Sequence, residues 1–173
     1  VINKQQFPPT IADIAFVVDA TGSMGDEISY LKTELEDVIN RVQSSFGNLT
    51  VNTAAVFYRD EGDTYVTKKT PFSAVFSPVL EFIKDQNADG GGDTPEAVHT
   101  ALKESIGELN WSPDARARIL FLVLDAPPHY DPAVMEELHK YITIASKKGI
   151  KIIPITASGI EKDAEFLMRY FSI

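Results

Sequence analysis

The chain has 173 residues, of which 44% are hydrophobic, with no cysteine and a formal net charge of −9. That length suits one domain with a sizeable core, and the lack of cysteine excludes disulfides, thiol catalysis and cysteine-ligated metals. The negative charge argues against a nucleic-acid partner, since phosphate backbones attract a basic face, and no apolar run reaches the roughly 18 residues that membrane insertion needs.

The first half of the chain predicts two buried strands joined by a long helix. Residues 14–18 form a nearly continuous apolar run, which is typical of strands buried on both faces. The polar, proline-broken segment before it, residues 1–10, is expected to be a linker. From Asp26 onward, apolar residues recur at helical spacing. Residues 51–58 predict the second strand, and residues 65–70 return as an antiparallel edge strand after an acidic turn.

The second half predicts further alternation of helices and strands. Short helices are expected at 78–84 and from Thr94, and residues 119–124 form another fully buried strand. A helix from Asp131 leads to a strand at 150–155, and a last helix follows it. This order predicts an α/β fold with a doubly wound, mostly parallel central sheet, one antiparallel edge strand and helices on both faces.

Three polar segments, far apart in the chain, fall where predicted strands end or helices begin. Because the carboxyl ends of adjacent parallel strands meet at one edge of a sheet, we expect their side chains to converge there. Carboxylate and hydroxyl oxygens, without cysteine or histidine among them, suit a hard cation: Mg²⁺, or alternatively Mn²⁺ or Ca²⁺. The candidate metal ligands are Asp19, Thr21, Ser23, Thr94, Glu96 and Asp125.

Several of these residues also have a purely structural interpretation. Ser23, with Asp26 three residues later, fits a capping box at the start of the first helix. Thr94 before a proline fits a helix N-cap, and Glu96 fits a first-turn acid favoured by the helix dipole. A cap does not account for Asp19, and the three glycines before residue 93 let the backbone approach a bound group closely.

Other polar and aromatic residues are weaker candidates. Asp131 is expected to be an N-cap, and Trp111 a packing anchor. His99 and His139 are expected within helices, at the surface or its boundary. His129 lies close to the proposed site in the sequence.

Together these residues resemble a von Willebrand factor type A (VWA) domain with a metal-ion-dependent adhesion site (MIDAS). Residues 19–23 match the family's Asp-x-Ser/Thr-x-Ser signature, Thr94 matches its Gly-rich threonine segment, and Asp125 matches its late strand-end aspartate. The resemblance implies a Rossmann-like VWA domain over residues 11–173. It also implies a divalent cation that binds a protein ligand through an acidic side chain of that ligand.

The segments 23–27, 93–96 and 125–129 are similar to those of integrin beta I-like and hemicentin-like domains. That similarity implies that Glu96 joins the metal shell, and that Asp26 and Glu27 help to hold a second, adjacent cation. The ligand rim is expected to include Asp60, Asp93 and His129. The acidic turn 59–63 would lie on this rim and restrict which ligands are accepted.

Family members normally add a strand and a helix after the last predicted helix, so the resemblance predicts a domain that lacks both. Strand 150–155 would then be an exposed edge. By analogy with surface-binding relatives we expect an extracytoplasmic location, with an intracellular one as the alternative.

These residues predict a non-enzymatic, adhesion-type binding module, and alternatives stay open. The chain could be a scaffold domain whose metal site is unoccupied or structural. A magnesium-dependent phosphotransferase of the haloacid-dehalogenase type would need a second aspartate at position 21, where this chain has threonine. A nucleotide-binding domain would need the full glycine fingerprint, which is absent.

Overall fold

A five-stranded sheet organises the part of the chain that the computed structural model describes, residues 10–45, 48–92 and 95–157. Its strands are β1 (Thr10–Asp19), β2 (Leu49–Tyr58), β3 (Thr67–Lys69), β4 (Ala117–Leu124) and β5 (Ile150–Thr156). Their order in the sheet is β3-β2-β1-β4-β5, and only the β2–β3 pair is antiparallel. The predicted α/β fold with one antiparallel edge strand is confirmed.

Helices cover both faces of this sheet. They are α1 (Gly25–Ser45), α2 (Ser77–Lys84), α3 (Val98–Leu102), which continues as a π-helical turn (Lys103–Glu108), and α4 (Pro132–Lys148). Alternate residues of β1 point to opposite faces: Phe16 and Val18 pack with α1 and α2, whereas Ala15 and Val17 pack with α3 and α4. No described helix is long and apolar enough to cross a membrane.

Parallel pairing places the carboxyl ends of the central strands side by side. Asp19 on β1 is the register partner of Tyr58 on β2, and Val18 is the partner of Val123 on β4. Asp125 therefore follows β4 close to the end of β1. Among the described residues β5 pairs only with β4, so its other side is an edge.

Most predicted boundaries differ from the structure by one or two residues, and two differ by four. β1 begins at Thr10 rather than at residue 14, because its first residues already pair with β2. The helix predicted from Thr94 begins at Val98, with Ala97 as its N-cap residue. Glu96 stays outside that helix because its backbone forms a bridge to Pro128. The last predicted helix lies outside the described residues.

Several smaller expectations can be compared with the structure. Asp131 caps α4 by accepting a hydrogen bond from the backbone N of Val134 at 3.1 Å, as expected. Trp111 packs edge-on against Phe72, with ring centroids 4.8 Å apart. His139 is exposed. The position expected for His99, at the surface or its boundary, is wrong, because this residue is buried and only 6% exposed.

Candidate functional site

The end of β1 carries a buried carboxylate with one oxygen satisfied and one not. Asp19 is fully buried. Its Oδ1 accepts hydrogen bonds from the backbone N of Thr21 at 2.9 Å and from the Thr21 hydroxyl at 2.7 Å. Its Oδ2 makes no hydrogen bond to the described residues. An unpaired buried carboxylate oxygen is costly, so this atom is available to a ligand.

The residues after Thr21 turn sharply towards α1. Gly22–Met24 form a 3₁₀ turn, and the exposed Ser23 lies within it rather than at the N-cap of α1. The capping-box interpretation of Ser23 is therefore wrong. Asp26 and Glu27 occupy the first turn of α1, where Asp26 is exposed and Glu27 is half-buried. Their role at a second cation stays a prediction.

Two further carboxylates have unsatisfied oxygens at the same edge of the sheet. Glu96 is 2% exposed, and its Oε2 is buried without a hydrogen-bond partner among the described residues. Its backbone N donates to the carbonyl of Pro127 at 2.9 Å, which ties it to the segment after β4. Asp125 lies in that segment, and its Oδ1 is likewise buried and unpartnered. Glu96 is thus held by backbone pairing rather than by helix formation.

Burial and mutual repulsion raise the pKa values of these carboxyl groups. Burial raises the pKa of Asp19 to about 6, with Asp125 adding to the effect and the hydrogen bonds from Thr21 opposing it. Burial also raises the pKa of Glu96 to about 8, and the negative charges of Asp19, Asp60, Asp63 and Asp125 contribute. Such crowding of like charges is the condition that a bound cation relieves.

Tyr58 belongs to this site and was not identified from the sequence. Its hydroxyl is buried without a hydrogen-bond partner among the described residues. Burial raises its pKa well above the usual value, as do the charges of Asp19, Glu96 and Asp125. The available signal was its place as last residue of the second predicted strand, where it lies beside Asp19 in a parallel sheet.

Two of the three glycines in the Gly-rich segment allow the backbone to lie close to neighbouring side chains, and its predicted approach to a bound group stays a prediction. Gly91 has φ +65°, and a Cβ there would lie 2.6 Å from the Cβ of Thr21 and 3.1 Å from Oε1 of Glu96. A Cβ on Gly90 would collide with the carboxylate of Asp63. Gly92 has open space around it. The segment therefore packs against the candidate ligands only because it lacks side chains.

Four connecting segments surround the site, and we call them the rim loops: residues 20–26, 59–66, 85–92 and 125–131. They are joined by hydrogen bonds, such as that from the backbone N of Gly91 to Oδ2 of Asp63 at 3.1 Å. Asp60 and His129 also meet, with Oδ1 and Nε2 2.8 Å apart. Two of the three predicted rim residues therefore lie together. The third, Asp93, and the predicted metal ligand Thr94 lie outside the described residues.

Arg59 connects three of the rim loops and was also missed in the sequence. It is 6% exposed, and its guanidinium donates to the carbonyl of Ala20 at 3.2 Å, the hydroxyl of Thr64 at 3.1 Å and the carbonyl of Asn87 at 2.9 Å. It also stacks over the ring of Tyr65. Its hydrogen bonds are thus directed at the loop framework rather than at the buried carboxylates.

The donor set fits a hard cation through mixed ligands. Among the described residues, no group of three or more histidine, aspartate or glutamate side chains is arranged to hold a metal ion. The buried, unpartnered oxygens of Asp19, Glu96 and Asp125 instead lie at the edge that also carries the hydroxyls of Thr21 and Ser23. Carboxylate and hydroxyl oxygens together are the chemistry that magnesium and calcium accept.

Comparisons with known proteins agree with the fold. A family model described as von Willebrand factor A domain matches residues 13–166. An ariadne-like RING finger protein of Acanthamoeba polyphaga mimivirus is 33% identical over 120 residues, which are 69% of this chain and 11% of that protein. The alpha-protein kinase vwkA of Dictyostelium discoideum is 28% identical over 119 residues, 68% of this chain and 19% of the kinase. The chain thus spans less than a fifth of either relative.

Solved structures give the same result at lower identity. The pilus adhesin SpaC from Lactobacillus rhamnosus GG matches 94% of this chain and 27% of its own, with a TM-score of 0.68 and 12% identity. Proximal thread matrix protein 1 from the mussel byssus matches 94% of this chain and 41% of its own, with a TM-score of 0.65 and 18% identity. At these identities the likeness shows the fold alone.

Proposed function

Because this chain belongs to the von Willebrand factor A domain family, we propose that it is a non-enzymatic protein-binding module that recognises an acidic side chain through a divalent cation. Mg²⁺ is the expected ion, with Mn²⁺ or Ca²⁺ as alternatives. The cation would lie at the carboxyl edge of the sheet, among the ends of β1 and β4 and the Gly-rich segment.

The observation that carries this proposal is the set of unsatisfied buried oxygens. Asp19, Glu96 and Asp125 each keep one buried oxygen without a hydrogen bond to the described residues. A folded protein normally satisfies such atoms, and three of them close to the same edge of the sheet favour a ligand of positive charge there. The raised pKa values of Asp19 and Glu96 support this, because their ionised forms lack a compensating charge.

Each residue has a distinct part in holding the ion. The hydroxyls of Thr21 and Ser23, with Glu96, would contact it directly, whereas Asp19 and Asp125 would act directly or through water. Thr94 is proposed as a further ligand on its sequence match alone. Gly91 keeps space between Thr21 and Glu96 that any side chain would fill.

When bound, the cation supplies a coordination position at which a partner's carboxylate can replace water. The protein's own residues determine which carboxylates reach it. Asp60 and His129, hydrogen-bonded to each other at the rim, lie where they can contact the partner's neighbouring groups.

Thermal unfolding tests the cation. A cation that binds only the folded protein stabilises it by about 2.7 kcal/mol at a hundred times its dissociation constant. We expect Mg²⁺, Mn²⁺ or Ca²⁺ to raise the midpoint above that in EDTA, and Asp19→Ala to abolish the rise. Asp114→Asn, which changes an exposed acid before β4, is the matched control and should keep it. Equal midpoints with and without every cation in the parent chain would contradict the proposal.

A scaffold domain with an unoccupied or structural site is the second candidate. It is favoured by the lack of any purely acidic or histidine metal cluster among the described residues. Thr21 also donates two hydrogen bonds to Oδ1 of Asp19, so one of the two carboxylate oxygens already has a partner within the protein. Calorimetric titration with Mg²⁺, followed by titration of the Mg²⁺-loaded chain with an acidic peptide, separates the two functions. A scaffold with an unoccupied site gives no heat of Mg²⁺ binding, and one with a structural ion binds Mg²⁺ but not the peptide.

The absence of catalysis and the extracytoplasmic location stay predictions. A phosphotransferase would require a second carboxylate at position 21, and Thr21 instead donates its hydroxyl to Asp19. Hydrolysis of a generic phosphate ester would contradict the non-enzymatic assignment. The location awaits fractionation of cells that produce the whole protein, because neighbours at 12% and 18% identity share only the fold.

A further inference from the structure

The charges around the candidate site are strongly one-sided. Every rim loop contains aspartate or glutamate, whereas Arg59 is the only lysine or arginine in any of them. Asp26 is exposed, and the side chains of Glu61 and Asp89 are 67% and 78% exposed. These carboxylates surround the entrance that a partner must cross.

The single arginine does not neutralise this entrance. Arg59 is buried, and its guanidinium is bonded to the carbonyls of Ala20 and Asn87 and to the hydroxyl of Thr64. Its nearest exposed carboxylate oxygen, on Asp89, is 3.8 Å away, at the outer limit of an ion pair. The rim therefore presents negative charge to solvent, in addition to the buried charge of the site.

A buried, unpartnered group beside these acids favours a ligand site over an ordinary solvated surface. Glu96 is 2% exposed, its Oε2 has no hydrogen-bond partner among the described residues, and its Oε1 lies beside Gly91 of a rim loop. A bound cation would satisfy that oxygen and anchor one carboxylate of a partner. The exposed acids would then act on the residues that flank the anchor.

We infer that the rim selects a polypeptide segment whose anchoring carboxylate is flanked by lysine or arginine side chains, and rejects one flanked by further acids. The inference rests on the proposed function and specifies its partner. Attraction of flanking cations to Asp26, Glu61 and Asp89 adds affinity, whereas flanking acids are repelled by the same charges. Charge of this kind acts mainly on specificity and on the association rate.

Three short blocked peptides test this inference: Gly-Lys-Asp-Lys-Gly, Gly-Gly-Asp-Gly-Gly and Gly-Glu-Asp-Glu-Gly. Binding is followed by NMR titration of the labelled chain in Mg²⁺, at ionic strengths of about 0.01 M and about 0.1 M, where the Debye length falls from about 30 Å to about 10 Å. We expect the lysine-flanked peptide to bind about tenfold more tightly than the glutamate-flanked one at low salt, and the ratio to shrink at higher salt.

Two charge variants locate the effect. In Glu61→Gln combined with Asp89→Asn, the ratio between the two peptides should fall to about threefold. The matched control, Glu81→Gln combined with Asp114→Asn, removes two exposed acids outside the rim loops and should keep the tenfold ratio. A ratio that falls equally in both variants would assign the effect to net charge and overturn the role of the rim.

The remaining outcomes separate this inference from the proposed function. Equal affinities for all three peptides, each dependent on Mg²⁺, would overturn the charge preference and leave the proposed function intact. Calorimetric Mg²⁺ binding without Mg²⁺-dependent binding of any peptide would overturn both the preference and the recognition of an acidic side chain.

Discussion

Strand β1 buries an aspartate near each end, on the same face of the sheet, and the two have opposite surroundings. Asp13 accepts hydrogen bonds from Asn52 Nδ2 at 2.8 Å and Ser112 Oγ at 3.1 Å on one oxygen, and from the backbone N of Ser112 at 2.5 Å on the other. Asp19 has donors, both from Thr21, on one oxygen only.

The difference shows how a structural carboxylate is told from a binding one. Both residues are fully buried, so burial alone does not distinguish them. The donors around Asp13 come from β2 and from the loop before β4, and they tie that end of the sheet together. Around Asp19 the neighbouring strands contribute Tyr58 and Asp125 instead, whose own polar atoms are unpartnered. Among the described residues, the carboxylate at the amino end of β1 has donors on both oxygens, whereas the one at the carboxyl end has donors on only one.

The largest change in stability is expected from removing the carboxylate of Asp13, which has hydrogen-bond donors on both oxygens. Asp13→Ala removes the acceptor for Asn52 and Ser112 and leaves these half-buried donors unpaired, which should lower the free energy of unfolding by about 3 kcal/mol. Urea unfolding in EDTA measures this loss. A loss under about 1 kcal/mol would contradict the view that these bonds hold the amino end.

At the carboxyl end of β1, neutralising Asp19 should raise the free energy of unfolding rather than lower it. In EDTA, Asp19→Asn keeps the shape of the side chain but removes a charge that is costly to bury, so we expect about 1–2 kcal/mol of added stability at pH 8. With excess Mg²⁺ the order should reverse, because only the parent chain gains from the ion. Destabilisation by Asp19→Asn in EDTA would mean that Asp19 is satisfied without a ligand.

The stability of the metal-free protein should depend on pH because a carboxyl group of the candidate site has a raised pKa. The folded-state pKa of Glu96, about 8, lies above the ordinary value of 4.5, so the folded state retains a proton that the unfolded state has lost. Stability is then present at low pH and lost as pH rises towards 8. Between pH 6 and 8 we expect a decline of about 1–2 kcal/mol in EDTA. Glu96→Gln should flatten this slope, and an equal slope in both proteins would assign it elsewhere.

The smallest effect is expected at Tyr58. Tyr58→Phe removes a hydroxyl that has no hydrogen-bond partner among the described residues, so stability in EDTA should change by less than about 1 kcal/mol. Chemical denaturation gives this value, and Mg²⁺ titration of the same variant shows whether the hydroxyl contributes to the cation site. A loss of several kcal/mol would indicate that the hydroxyl is hydrogen-bonded to Asp19, its register partner in the sheet.

Much of this arrangement could be predicted from the sequence, because its signals are local. Uninterrupted apolar runs identify the central strands, and Asp131 identifies the start of α4. The strand order then brings Asp19 and Asp125 to one edge, as expected for parallel strands. The predicted start of α3 was wrong because Glu96 pairs with Pro128, a long-range contact that no local sequence pattern indicates.

Other parts of the site depend on contacts that no single segment encodes. In the sequence, Arg59 is a single positive charge within an acidic turn. In the fold it is buried, and its hydrogen bonds join three of the rim loops. Tyr58 reads as the apolar end of a strand, and its importance comes from the carboxylates placed around it. His99 occupies a helix, as predicted, but the fold buries it. Burial of polar groups is set by packing, which is why it was least accessible to sequence reasoning.

Asp19 and Asp125 follow neighbouring strands, although more than half of the chain separates them in sequence. A ribosome delivers the amino-terminal part first, so Asp19 leaves it long before β4 exists. Bringing these residues together closes a long loop, whose entropic cost is met by the pairing of β4 with β1 and the packing that accompanies it. A cation that needs both carboxylates would therefore join a chain that has already folded, as the last component rather than as the seed of assembly.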